Sequence, residues 1–237
     1  MSWCRKKLLV RLFVSILYIY SSGSWCTTQR DFQSWLNLTI SGPVNKESRS
    51  FQRFKYWLEG QERIGDDSSR SSQTMFRTGI GYMLTEKASL WVGYAWIKTG
   101  IPFTMHPFTE DRIWEQLLWN KKTPDWNFSS RTRMEQRFTT NNHKVAYRVR
   151  QLLKIAIPIK NHPDFRLVGS DEIFWHTNNF IGRNGKGFDQ NRLFAGIGYQ
   201  FNPTISTEIG YMNQYIRRLG IPNFLNNILS INFFINF

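Results

Sequence analysis

The sequence predicts an all-β protein: a transmembrane, antiparallel, up-and-down β-barrel of about 10–12 strands. Three observations carry that expectation. Aromatic residues make up 16% of the 237 residues, yet mean hydropathy is negative. Only alternation of apolar and polar side chains reconciles the two, since it lets a wall face lipid on one side and water on the other. The chain divides into segments of roughly ten residues with period-two alternation, broken by turn residues. It finishes on an amphipathic segment whose last residue is Phe237.

The first residues read as a targeting segment. Arg5, Lys6 and Lys7 form a basic start, Leu8 to Tyr20 a short apolar run, and Ser22-Gly23-Ser24 a small-residue site for cleavage before Trp25. The run is shorter than the ~20 apolar residues that a spanning helix needs. Residues 1–24 are therefore expected to be a signal peptide and 25–237 the barrel domain. Of the two cysteines, Cys4 lies in the signal, so Cys26 lacks an internal disulfide partner. Lipid attachment at Cys26 is disfavoured by the bulky Trp25 before it.

Strands are expected near 31–41, 51–63, 74–84, 88–98, 110–119, 126–138, 144–157, 166–176, 188–201, 204–216 and 225–237. The second sets Phe54, Tyr56 and Leu58 against Lys55, Glu59, Gln61 and Arg63. In 126–138, Trp126, Phe128, Met134 and Phe138 oppose Asn127, Ser129, Arg131, Arg133, Glu135 and Arg137. In 144–157, Val145, Tyr147, Val149, Leu153, Ile155 and Ile157 oppose Arg148, Arg150 and Lys154. In the last, Leu229, Ile231, Phe233, Ile235 and Phe237 share one face and Ser230, Asn232 and Asn236 the other, with Phe234 out of phase. A soluble β-sandwich alternates in the same way. Aromatics on nearly every apolar face favour a membrane wall, as do tight links at 85–87 and 202–203 set against longer loops at 99–109, 177–187 and 217–224. In lipid the sheet has to close, because an open edge leaves backbone groups without partners at several kcal/mol each. The first wall strand must then pair with the last.

Eleven segments raise a question of parity. Counting back from the tight links starts segment 31–41 on the long-loop side, whereas bacterial barrels have even counts and a periplasmic N-terminus. A missed strand, an N-terminal stretch threaded through the lumen, or one segment outside the wall would each resolve it.

The order of pieces resembles the family known as DUF2490. They are Phe32-Gln33-Ser34-Trp35-Leu36, Leu58-Glu59-Gly60-Gln61-Glu62-Arg63, Gly79-Ile80-Gly81-Tyr82 and Arg131-Thr132-Arg133-Met134-Glu135-Gln136-Arg137. Arg148-Val149-Arg150-Gln151-Leu152-Leu153, Asp171-Glu172-Ile173-Phe174 and Gln190-Asn191-Arg192-Leu193-Phe194-Ala195-Gly196-Ile197-Gly198-Tyr199 follow, ahead of the closing Phe-rich strand. The resemblance implies an outer-membrane β-barrel and no particular activity. A terminal aromatic in phase with its strand likewise resembles the signal read by the outer-membrane insertion machinery, which makes Phe237 its candidate residue.

With apolar faces outward, the expected lumen-lining charges are Lys55, Glu59, Arg63, Arg77, Arg131, Arg133, Glu135, Arg137, Arg148, Arg150, Lys154, Glu172, Arg192 and Glu208. Arg–Glu pairs in a narrow barrel can be a purely structural filling. A water-filled path lined with arginine would instead favour anions. The formal net charge of +14 invites a nucleic-acid partner, but the arginines are spread along strand faces opposite the aromatics and share no stacking platform. The partners expected are outer-membrane lipid and lipopolysaccharide, the barrel-assembly machinery during biogenesis, and small anionic solutes. The location expected is the bacterial outer membrane, reached through the Sec pathway.

The alternative is a barrel-embedded lipid-modifying or lipid-hydrolysing enzyme. Of His106, His143, His162 and His176, His176 shares a face with Ser170 and Glu172. Its bland reading is a surface or girdle histidine. No metal-ligand spacing, phosphate-cradling glycine loop or nucleophile elbow is present, so no cofactor is expected. Asp66 and Asp67 read as a solvated turn before an ion site.

Overall fold

Alternation at period two puts every second side chain on the same face, so each segment must form a strand with one wet and one apolar side. The computed structural model describes residues 28–45, 47, 51–180 and 185–237. The proposed signal segment and Cys26 lie outside these residues. Eleven strands follow in order: β1 (Gln29–Pro43), β2 (Phe54–Gly65), β3 (Arg70–Met83), β4 (Ala88–Thr99), β5 (Phe108–Lys122), β6 (Asn127–Thr139), β7 (Asn142–Ile159), β8 (His162–His176), β9 (Gly187–Gln200), β10 (Ile205–Ile216) and β11 (Phe224–Asn236). Each of the eleven expected segments is one of them.

The strands form one closed barrel, each hydrogen-bonded to its sequence neighbours, with β1 against β11. Ten of the pairings are antiparallel. The eleventh, β1 with β11, is parallel and runs in register from Gln29↔Phe224 to Ser41↔Asn236. That pairing answers the parity question and is none of the three resolutions that the sequence suggests. Among the described residues no strand is missed and none threads the lumen, and all eleven are in the wall. An up-and-down sheet with an odd number of strands brings its first and last strands together pointing the same way. A parallel ladder satisfies the backbone groups as completely as an antiparallel one, at slightly lower stability per residue.

The odd count fixes the rims. One rim carries the start of β1 and the connections 66–69, 100–107, 140–141, 177–186 and 217–223. The other carries 44–53, 84–87, 123–126, 160–161, 201–204 and Phe237. Three of the four long connections lie on the first rim. The expected split into short and long sides therefore holds except at 44–53, 66–69 and 140–141.

The outer surface is apolar. Phe76, Ile80, Val92, Met134, Leu167, Trp175, Ile197 and Tyr211 are each at least half exposed, and Leu229, Phe233 and Phe237 also face outward. These side chains are not the interior of a two-sheet sandwich. The inner face of β1–β5 is packed by tryptophan. Trp35, Trp91 and Trp114 are buried, and Trp57 stands edge-on to Trp91 at 5.6 Å between centroids. Room for these rings comes from glycine. A Cβ on Gly79 would lie 2.6 Å from the Trp114 ring, and one on Gly93 would lie 2.3 Å from it and 2.2 Å from the Thr78 carbonyl oxygen. Two neighbouring strands must lack side chains here for one indole to lie flat against the wall.

Truncating Trp114 to alanine should leave a void above Gly79 and Gly93 and cost about 3–5 kcal/mol. Urea unfolding of folded barrel in detergent, with and without the substitution, measures it. A cost below about 1 kcal/mol would mean that the ring does not hold this wall.

Candidate functional site

The inner face of β5–β9 carries the charge. Cross-strand register sets Arg112 opposite Arg137 and Arg133 opposite Arg150. Like charges facing each other across a ladder repel. Carboxylates placed between them offset that repulsion. Glu110 accepts from Arg112 Nε at 2.5 Å and from Arg137 Nε and Nη2 at 2.5 and 2.9 Å. Glu135 accepts from Arg148 Nε and Nη2 at 3.0 and 2.6 Å and from Arg150 Nη1 at 2.6 Å, with Arg112 at 3.9 Å. Glu172 accepts from Arg131 Nη2 at 2.8 Å and from Arg150 Nε and Nη2 at 3.1 and 2.8 Å, with Arg192 at 3.8 Å. Asp189 accepts from Arg148 Nη1 at 3.1 Å. Alternating arginine and carboxylate thus form one continuous lattice from β5 to β9. Two separate pairs stand beside it, Arg77 with Glu59 and Lys154 with Glu208, the latter at 2.6 Å.

Of the arginines that the sequence assigns to the lumen, two, Arg133 and Arg63, have no carboxylate within salt-bridge distance among the described residues. Arg133 is fully buried, donates Nε and Nη2 to Gln116 Oε1 at 2.9 and 2.6 Å, and lies over the Trp114 ring at 4.5 Å. Arg63 donates to Gln73 at 2.8 Å and Gln61 at 2.9 Å and lies over the Trp35 ring at 3.7 Å. Nε of Arg63, Arg77 and Arg131 and Nη1 of Arg133 are buried without a protein acceptor.

Between the tryptophan wall and the arginine lattice lies a cavity of about 400 Å³. Nine lysine and arginine side chains line it against five aspartates and glutamates. The excess of positive charge, together with guanidinium N–H groups lacking acceptors, gives the cavity a positive electrostatic potential.

The sequence-derived lumen set is placed as follows. Glu59, Arg63, Arg77, Arg131, Arg137, Arg148, Arg150, Lys154, Glu172, Arg192 and Glu208 line the cavity. Arg133 and Glu135 are buried in the lumen wall and do not reach it. Lys55 shares the lumen-facing register of β2, lies near the short-turn rim opposite Gly81, and does not line the cavity. Phe237 is exposed, and its amide donates to the Ser41 carbonyl at 2.9 Å.

Four lumenal groups escaped the sequence reading. Glu110 and Arg112 alternate in phase with Trp114 and Gln116, but outward-facing Asp111 and Glu115 blur the pattern. Those two are occupied outside, Asp111 by the Tyr94 hydroxyl and Glu115 by Gln136 at 3.3 Å. Asp189 is the extra residue of a β-bulge, because Phe174 pairs with Gln190 and Trp175 with Phe188. The bulge turns Asp189 and Gln190 both inward, which period two cannot show.

His176 corrects the expectation of a surface or girdle histidine. It is fully buried in the lumen, with Nε2 3.4 Å from Asp189 Oδ2, because even-numbered residues of β8 face inward. The Ser170–His176 pairing does not assemble. Six residues of extended strand separate them by roughly 20 Å, and Glu172 is held by arginines. Asp66 and Asp67 form the β2–β3 turn with positive φ, their amides donating to Asp31 at 3.4 and 3.0 Å. Among the described residues no group of three or more His, Cys, Asp or Glu could hold a metal ion.

Fold and lumen together define a closed β-barrel with a cation-rich interior. The model of the protein family of unknown function DUF2490 matches residues 32–224, and the chain belongs to that family. It is 30% identical over 232 residues to an uncharacterized protein of Methylorubrum extorquens, covering 96% of this chain and 98% of that one. No solved structure matches it significantly.

Removing one member of the lattice should expose the rest to uncompensated charge. Glu135→Ala leaves Arg148 and Arg150 short of an acceptor and should destabilise the folded barrel by about 3–5 kcal/mol. Asp66→Ala, which breaks an exposed 4.0 Å pair with Arg70, should change stability by less than about 1 kcal/mol. Urea titrations of both variants in detergent give the comparison. Equal effects would mean that the lattice contributes no more than a surface pair.

Proposed function

We propose that this protein is an integral outer-membrane β-barrel of a Gram-negative bacterium, exported through the Sec pathway, with a narrow passive path through its lumen that favours anions. The cation excess around the cavity is the single observation that carries the reading. A lumen filled only for structure would balance its charges, because each unpaired buried cation costs desolvation free energy. Here Arg63 and Arg133 remain without carboxylates, and their environment is aromatic and amide.

The membrane part of the proposal rests on the exterior. Strands of 12–18 residues exceed the ~9–11 that cross a bilayer when tilted. Near the short-turn rim the outer surface carries aromatic groups at Phe51–Phe54–Tyr82, Trp119–Phe128 and Phe165–Tyr199–Phe201, as an interfacial girdle would. Lipid and lipopolysaccharide would be its immediate partners and the barrel-assembly machinery its partner in biogenesis, with Phe237 in the insertion signal. Ser170 and His176, on which the lipid-enzyme alternative rests, lie apart along β8.

Folded protein in detergent should migrate differently on gels before and after boiling. Unchanged migration would count against a membrane barrel. In planar bilayers the protein should conduct with anion preference, and Arg131→Ala combined with Arg192→Ala should reduce that preference. Both side chains line the cavity, and Glu172 retains Arg150 at 2.8 Å when they are removed, so the fold should persist. A silent bilayer would remove the conducting path.

Orientation gives a separate expectation. With the C-terminal strand ending in the periplasm, the rim that holds the start of β1 faces the cell surface. Ser69→Cys should react in intact cells with a membrane-impermeant maleimide, and Glu86→Cys should not. The reverse pattern would invert the barrel.

A further inference from the structure

Trp35 is the point where the two halves of the lumen meet. Its indole is buried, and Nε1 donates to Gln33 Oε1 at 2.8 Å, which fixes the ring. Arg63, its direct cross-strand partner on β2, lies over the ring at 3.7 Å. Arg192 reaches the same ring from β9, across β10 and β11, and lies 4.9 Å from its centroid. The two guanidinium carbons are therefore no more than about 8.6 Å apart.

Their remaining partners are unequal to two full charges. Arg63 has only amide acceptors, and its Nε has none. Arg192 has Glu172 at 3.8 Å, a carboxylate already held at shorter range by Arg131 and Arg150, and lies over Phe174 at 4.5 Å. With the Gln214 amide turned to satisfy its surroundings, its oxygen accepts from Arg192 Nε at 3.2 Å. Two cations thus lie close together, surrounded by aromatic rings, neutral amides and one carboxylate already held by two other arginines, at the edge of the cavity that both line. A guanidinium presents a planar fork matched to the two oxygens of a carboxylate or phosphate.

We propose that Arg63 and Arg192, held over Trp35, form a specific binding site for an oxyanion group, carboxylate or phosphate, on a small solute. The proposal deepens the anion-favouring reading of the lumen and rests on it. The site is saturable and differs from a diffuse positive field in depending on these two side chains. Removing Arg63 leaves no carboxylate behind, so the barrel should fold without it.

Isothermal titration of purified protein in detergent, in chloride buffer, tests the site without requiring conduction. Inorganic phosphate and succinate, titrated separately, distinguish the two oxyanion sources. At least one should bind with one-to-one saturation, and Arg63→Gln should weaken binding tenfold or more. Arg192→Gln, which leaves Glu172 paired with Arg131 and Arg150, provides the same test where Arg63→Gln fails to fold. Arg70→Gln, at the exposed turn, should bind as wild type does. Saturable binding in a protein that is silent in bilayers would retain the site and remove the pore. Anion-selective conduction without saturable binding of either probe, or equal affinity in wild type and both variants, would overturn the site and leave the pore.

Discussion

The constraint on which the structure depends is closure: a free sheet edge leaves a row of backbone groups unpaired, and this sheet has none. Eleven strands can meet it only by joining β1 to β11 in parallel. The seam preserves the division between faces, because parallel partners in register point the same way. Trp35 with Ser230 and Asn37 with Asn232 both face the lumen, while Leu36 with Ile231 and Leu38 with Phe233 face outward. The polar interior and the apolar exterior therefore run unbroken around the ring, although the ladder changes its hydrogen-bonding pattern at one place.

Inside that ring, two ways of filling a lumen divide the circumference. On β1–β5 the interior is packed largely by indoles set against glycines, with the Arg77–Glu59 pair and Arg63 among them. On β5–β9 it is closed by guanidinium groups and carboxylates, which must satisfy one another. Buried ion pairs seldom add net stability over apolar residues of similar size, since desolvation consumes most of the Coulomb gain. The tryptophan wall shows that apolar packing is available to this fold. Stability alone thus gives no reason for arginine on the opposite wall, and still less for more arginine than its carboxylates can match.

Much of this was legible in the sequence. Period two gave every strand, and the phase of Arg131, Arg133, Glu135 and Arg137 against Met134 and Phe138 assigned faces correctly. What was hidden has physical causes. Parallel and antiparallel strands share the same side-chain period, so the seam leaves no trace in the alternation, and the even strand count usual in bacterial barrels makes an odd count look like an error. Asp111 and Glu115 are polar but outward, where Tyr94 and Gln136 occupy them, and so they masked Glu110 and Arg112. Asp189 faces inward only because of a bulge. His176 was placed at the surface because a strand end suggests a rim, yet the bulge folds Asp189 and Gly187 beside it and covers it.

Arg133 and Arg63, lumen arginines without carboxylates, illustrate different solutions to the same problem. Arg133 is sealed behind Trp114, with Gln116 accepting two of its hydrogen bonds, and its charge is felt in the lumen without being reachable. Arg63 faces the cavity, and it stands beside Trp35, the neighbour of the seam. The groups around it and Arg192 come from β9, β10, β1, β2 and β3, so an anion held there would link strands from both ends of the chain across the one parallel ladder. Parallel pairing is slightly the weaker kind per residue. Occupancy of the Arg63–Arg192 site would therefore strengthen the barrel where its backbone hydrogen bonding is least favourable, coupling ligand binding to closure of the wall.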